Sequence, residues 1–163
     1  MKEKSVRRGI SLLFRGAGLF LILAALVMML PFVLPRFFGY ETYRIVSPSM
    51  APAVPQGSLV LVREAEGEEI AEGEIIAFYR NGTVVVHRAL ENDPSQETII
   101  TKGDANAEAD LEELAYPELI GRVIYHAPYL GDLGEILSSF GGRIYLFTLI
   151  GCAALCFLLA ERV

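Results

Sequence analysis

Residues 74–89 read EIIAFYRNGTVVVHRA, two apolar runs that meet at Asn81-Gly82. Asn-Gly between β-branched and aromatic runs signals a hairpin, because the tight type I′ connection needs positive φ at both turn positions. Alternation then sorts the second run. Val84, Val86 and Arg88 point to one face, Val85 and His87 to the other. Working outward, TYRIV (42–46), SLVLVR (58–63, after Pro55-Gln56-Gly57), ETIITK (97–102) and IGRVIYH (120–126) have the same character. With the hairpin they make about six strands and predict a mainly β domain of coiled antiparallel sheets, spaced as in a small barrel or packed sheets. Glu64 to Glu74 is a charged loop with six glutamates, read as a solvated face. Between the last two strands lies the polar stretch GDANAEADLEELAYPEL, with a short helix expected over residues 111–115. No internal repeat is evident.

The two ends are different in kind. Apolar residues make up 53% of the 163-residue chain, against roughly 45–50% in soluble domains. From Gly16 to Pro35 there is no charge, and GAGLFLILAALVMMLPFVLP is almost wholly apolar. At about 1.5 Å per residue a helix of that length crosses a hydrocarbon core of about 30 Å. A second uncharged run, IYLFTLIGCAALCFLLA, covers Ile144 to Ala160, close to the lower length limit for a span. The first run exceeds the apolar core of a cleavable leader, and Pro31, Phe32 and Pro35 make no small-residue cleavage site, so it reads as an uncleaved anchor. Lys2, Lys4, Arg7, Arg8 and Arg15 precede it against one Glu, which favours a cytoplasmic N-terminus.

The expected organisation is a basic cytoplasmic segment (1–15), a transmembrane helix (16–35), an extracytoplasmic domain (36–142), a second transmembrane helix (143–160) and a cytoplasmic tail (161–163). The exported domain is of a size for one core. Between Phe37 and Gly142 stand eighteen acidic and six basic residues, which suits solubility and argues against nucleic-acid binding. Cys152 and Cys156 both fall in the second span, four residues apart, and read as small packing residues rather than a bridge. The exported domain has no cysteine, and no Cys/His cluster has metal-ligand spacing.

One stretch breaks the strand pattern: Ser47-Pro48-Ser49-Met50, where TYRIV stops. Pro48 helps end the strand, and it pushes Ser47 toward an extended conformation, so that Ser47 and Ser49 can share a side. The plain reading is a Ser-Pro-Ser turn. The chemical one is a nucleophile at Ser49 with Ser47 able to donate to an oxyanion, and it requires a base and an orienting group. His87 is one of two histidines, and His126 has nothing around it to suggest chemistry. Asp104 follows Gly103 and reads as a turn builder that bonds its own backbone. Asp110, six residues on, is free to reach elsewhere, and either aspartate could orient an imidazole.

The order Ser-Pro-Ser-Met, His-Arg, Lys-Gly-Asp-x-Asn-x-x-x-Asp behind an apolar anchor resembles signal peptidase I, in its endoplasmic-reticulum-type branch with Ser, His and Asp in place of Ser and Lys. The resemblance includes Pro52, Gly57 before LVLV, Gly73-Glu74-Ile75-Ile76-Ala77-Phe78, Val86-His87-Arg88, Thr101-Lys102-Gly103-Asp104 and Pro128-Tyr129-Leu130-Gly131. It implies Ser49 as nucleophile, His87 as general base, Asp110 as the triad aspartate, Asp104 as a supporting aspartate and Ser47 as oxyanion donor. It implies cleavage of signal peptides from exported pre-proteins beside membrane lipid, translocation machinery as a further candidate partner, and no cofactor. Pro48 stands where glycine is usual, Ser58 where aspartate is usual and Ala105 where asparagine is common. The rivals are a Ser–Lys protease using Lys102 and an inactive membrane-tethered β domain that binds peptides or a partner subunit.

Overall fold

The structure is a computed structural model that describes Lys2–Arg162; Met1 and Val163, the ends of the two expected cytoplasmic segments, lie outside the described residues. It divides into a helical unit, formed by the chain before Leu34 and after Gly134, and a β unit, Leu34–Gly134.

In the helical unit α1 (Lys2–Phe37) is much longer than the apolar run that announced it. Nothing in KEKSVRRGISLLFR breaks a helix, and Arg7 reaches back to Glu3 at 3.2 Å across one turn. α3 (Phe140–Arg162) carries the second apolar run. Both helices are long and apolar enough to cross a membrane. They pack closely on each other: Ser11 Oγ donates to the Ala160 carbonyl at 2.7 Å, and a Cβ on Gly18 would lie 2.9 Å from the Phe157 ring and 3.1 Å from the Ala153 carbonyl oxygen. Cys152 and Cys156 are free thiols; Cys152 is exposed on α3 rather than packed, and Cys156 is half-buried.

The β unit is a single seven-stranded antiparallel sheet: β1 (Tyr40–Arg44), β2 (Leu59–Glu64), β3 (Ile75–Arg80), β4 (Thr83–Asp93), β5 (Thr98–Lys102), β6 (Leu114–Ala115) and β7 (Leu119–Ala127), followed by α2 (Leu130–Ser138). Its spatial order is β1-β2-β7-β3-β4-β5-β6. The expected mainly β domain is therefore present. Asn81 and Gly82 have φ of 51° and 76°, as the hairpin reading requires, and they set Ile76 opposite His87 and Ala77 opposite Val86.

That register feeds two cores. Ile45, Met50, Val54, Val60, Val62, Ala77 and Val86 fill one. Ile70, Ile76, Phe78, Ala89, Ile99 and Leu114 fill the other, so strands β3 and β4 are covered on both faces. Burying a side chain such as Phe78 in full stabilises by about 1.5–3 kcal/mol.

The short helix expected over 111–115 is absent. Leu114 and Ala115 instead pair with Ile99 and Thr98 at the sheet edge, which buries Leu114 completely and leaves Leu111 fully exposed. Five helix-forming residues are too few to make a helix that outweighs those ladder bonds and that burial.

Candidate active site

Met50 fixes the Ser-Pro-Ser turn. It is 1% exposed in the first core, and the Ala51 and Val54 N–H groups donate to the Pro48 and Met50 carbonyls at 2.9 and 2.8 Å. With Met50 anchored, Ser49 is half-buried and Ser47 exposed. Their hydroxyl oxygens are 2.9 Å apart, so the two serines do share a side.

A second clamp comes from the loop after β5. The Ala105 N–H donates to the Ser49 carbonyl at 2.8 Å, and a Cβ on Gly103 would lie 2.7 Å from that same oxygen. Glycine at 103 is thus what lets this loop lie against the Ser49 backbone. Ala105, a departure from the family pattern, takes part through its backbone alone.

His87 lies on the face of β4 read from alternation, buried, with its ring edge-on to Phe78 at a centroid distance of 6.3 Å. Its Nε2 is 3.3 Å from Ser49 Oγ and its Nδ1 2.6 Å from Asp110 Oδ2. If Nδ1 carries the proton and donates to the carboxylate, Nε2 presents a lone pair to the serine hydroxyl. Asp110 is held further: Thr101 Oγ1 donates to the same Oδ2 at 2.6 Å, and the Asp110 N–H donates to the Thr101 carbonyl at 2.8 Å. Ser47, Ser49, His87 and Asp110 therefore stand in one continuous hydrogen-bonded line.

Asp104 is outside that line. Its two carboxylate oxygens accept from Arg88 Nε at 2.8 Å and Nη2 at 2.6 Å, while Arg88 Nη1 donates to the Gly73 carbonyl at 2.6 Å. The fork-to-fork pair pushes the guanidinium pKa up, the Asp104 hydrogen bonds being the main cause. Asp104 thus ties its loop to Arg88 on β4 rather than bonding its own backbone. Lys102 Nζ donates to the Ala107 carbonyl at 3.2 Å, which leaves the Ser–Lys reading without its base at Ser49. His126 stacks on Tyr125 at 6.5 Å. Ser58, at a family aspartate position, is fully buried and donates to the Pro55 carbonyl at 2.5 Å.

A recess of about 330 Å³ opens beside His87 and Asp110, with Phe78, Val85 and Leu111 as apolar walls. Among the described residues, no group of His, Cys, Asp and Glu is arranged to hold a metal ion.

Sequence reasoning gave no role to Thr101 or to the Ala105 N–H. The backbone donor has no sequence signal. Thr101 had a faint one: it shares a face of β5 with the apolar Ile99, where a hydroxyl needs a partner.

Residues 40–124 match the Peptidase S24-like family. Signal peptidase I W of Bacillus subtilis (strain 168) is 33% identical over 105 residues, covering 56% of this chain. This chain in turn spans 55% of that protein's length.

Proposed function

The chain belongs to the Peptidase S24-like family, and from that premise we propose that it is a membrane-bound serine endopeptidase that removes N-terminal signal peptides from exported pre-proteins. The observation that carries the reading is the Ser49–His87–Asp110 line, with 3.3 Å from hydroxyl to imidazole and 2.6 Å from imidazole to carboxylate. The first of these is long for a hydrogen bond to oxygen, as resting catalytic contacts often are before substrate closes them.

In this reading Ser49 Oγ attacks the scissile carbonyl and passes its proton to His87 Nε2. Ser47 Oγ and the Ser49 N–H take the oxyanion, where each well-placed donor is worth about 10²–10³ in kcat. His87 then protonates the leaving amine, water attacks the acyl-enzyme ester, and Ser49 regains its proton. Asp110 holds the imidazole in the tautomer that leaves Nε2 free. Asp104 supports the loop. The substrate lies extended against a strand edge, so that backbone bonds give affinity and alternate side chains give specificity.

The same reading places residues 1–15 and 161–163 in the cytoplasm, spans the membrane with 16–35 and 143–160, and puts 36–142 outside. A signal peptide's cleavage region then emerges on the same side of the membrane as the site, with the translocation machinery a further candidate partner. The basic N-terminal segment and the two apolar helices support this orientation.

The test is turnover of a peptide spanning a signal-peptide cleavage region, by the full-length chain in detergent and by Ser49→Ala. Cleavage by the wild type alone is expected. Binding by both proteins with cleavage by neither would instead favour an inactive peptide-binding module.

A further inference from the structure

Three polar side chains are buried in the β unit: Ser58, His87 and Thr101. Ser58 bonds a carbonyl three residues away, and His87 belongs to the catalytic line. Thr101 has no exposure at all, sits mid-strand where valine would fit, and spends its hydroxyl on a carboxylate nine residues on in an irregular loop.

We propose that Thr101 is a positioning residue for Asp110, and that it completes a Ser–His–Asp–Thr relay. The proposal rests on the protease reading above. Asp110 lies in the segment between β5 and β6, which has no ladder to orient a side chain. Thr101 grips it twice, main chain to main chain at 2.8 Å and hydroxyl to carboxylate at 2.6 Å. His87 and Thr101 both donate to Oδ2, so a single carboxylate rotamer satisfies them together. Without the hydroxyl, His87 alone would hold that rotamer. The carboxylate would then swing toward water on its exposed side, and the imidazole would lose its fixed tautomer and angle. A hydroxyl that served packing alone would be replaceable by a methyl. One that aims the carboxylate would not.

The test uses the full-length protein in detergent with a signal-peptide-spanning fluorogenic peptide, comparing wild type, Thr101→Val, Thr101→Ser, Asp110→Asn and the double variant Thr101→Val/Asp110→Asn. A lost hydrogen bond to a charged group corresponds to about ten- to a hundredfold in rate. Thr101→Val should therefore lose that much kcat with KM within about threefold, because it touches no substrate. Thr101→Ser keeps the hydroxyl and should stay within about threefold of wild type. The decisive reading is the cycle: the double variant should be no slower than Asp110→Asn, since Thr101 acts only through that carboxylate.

Wild-type kcat in Thr101→Val, a loss confined to KM, or losses that multiply in the double variant would each overturn the proposal. If Thr101→Val does not fold, Thr101→Ala replaces it. If neither folds, the hydroxyl serves the fold and the proposal is overturned as well. The two readings fail separately: a silent wild type, or an active Ser49→Ala, would sink the protease and Thr101 with it. An active wild type with dead Ser49→Ala and unaffected Thr101→Val would sink only the relay.

Discussion

Asp110→Asn is the sharpest perturbation available, because it keeps the shape of the side chain and removes only its charge and one acceptor. Oδ2 now accepts from His87 Nδ1 and Thr101 Oγ1, each at 2.6 Å. An asparagine can put only one kind of group there. With its oxygen in that place, both donors keep a partner but the bonds are no longer charge-assisted, and such bonds are about half as strong. With its amide NH₂ there, Nδ1 must become an acceptor. The imidazole proton then moves to Nε2, which faces Ser49 Oγ at 3.3 Å and can no longer take the serine's proton. The first case costs about 10–10² in rate. The second is the wrong-tautomer case, worth about 10⁴ in kcat, or about 5.5 kcal/mol at 1.36 per tenfold. The expected loss lies between those bounds, in kcat, with KM within about threefold. Initial rates on a signal-peptide substrate in detergent would measure it, after circular dichroism has shown the variant folded. A folded Asp110→Asn within threefold of wild type would refute the assignment. Asp104 would then have to leave Arg88 to take its place.

Asp104→Asn keeps one half of the fork to Arg88 and loses the other; it should cost about 1–3 kcal/mol of stability, seen as a lower Tm. Its kcat loss should be smaller than that of Asp110→Asn, and the reverse ranking would exchange the two roles. Gly103→Ala forces a methyl against the Ser49 carbonyl, so a displaced nucleophile should cost at least tenfold in kcat; unchanged kinetics would mean the loop yields freely. A reporter fused near Gly82 should read as external and one fused after Val163 as cytoplasmic, and an external signal from the second would remove the second span.

Elements whose signal is local were legible in the sequence. Asn81-Gly82 fixed a two-residue turn and with it the register, while strand alternation put His87 on the face of Val85. The apolar runs were legible for the same reason, though hydropathy marks only the apolar part of a helix, so residues 2–15 of α1 gave no helical signal of their own. What failed depended on distant partners. Leu114-Ala115 is a strand only because β5 offers an open edge. Thr101 matters only because Asp110 returns to it across nine residues.

The choice between the two aspartates falls between these cases. In TKGDANAEAD both carboxylates are near enough in sequence to serve one histidine, and spacing alone leaves them tied. The tie is broken on β4, not in the loop. His87 and Arg88 are consecutive in a strand, so their side chains leave on opposite faces. His87 meets Asp110 on one side and Arg88 meets Asp104 on the other. Each aspartate is therefore already matched to a cation or a proton donor that the other cannot reach without crossing the sheet. The Asn81-Gly82 turn holds that sorting in place, because a slip of one residue in β3–β4 pairing would turn His87 away from Ser49 and bring Arg88 to the site. A hairpin thus determines which carboxylate His87 meets, and the chemistry proposed for Ser49 depends on a turn with no catalytic group in it.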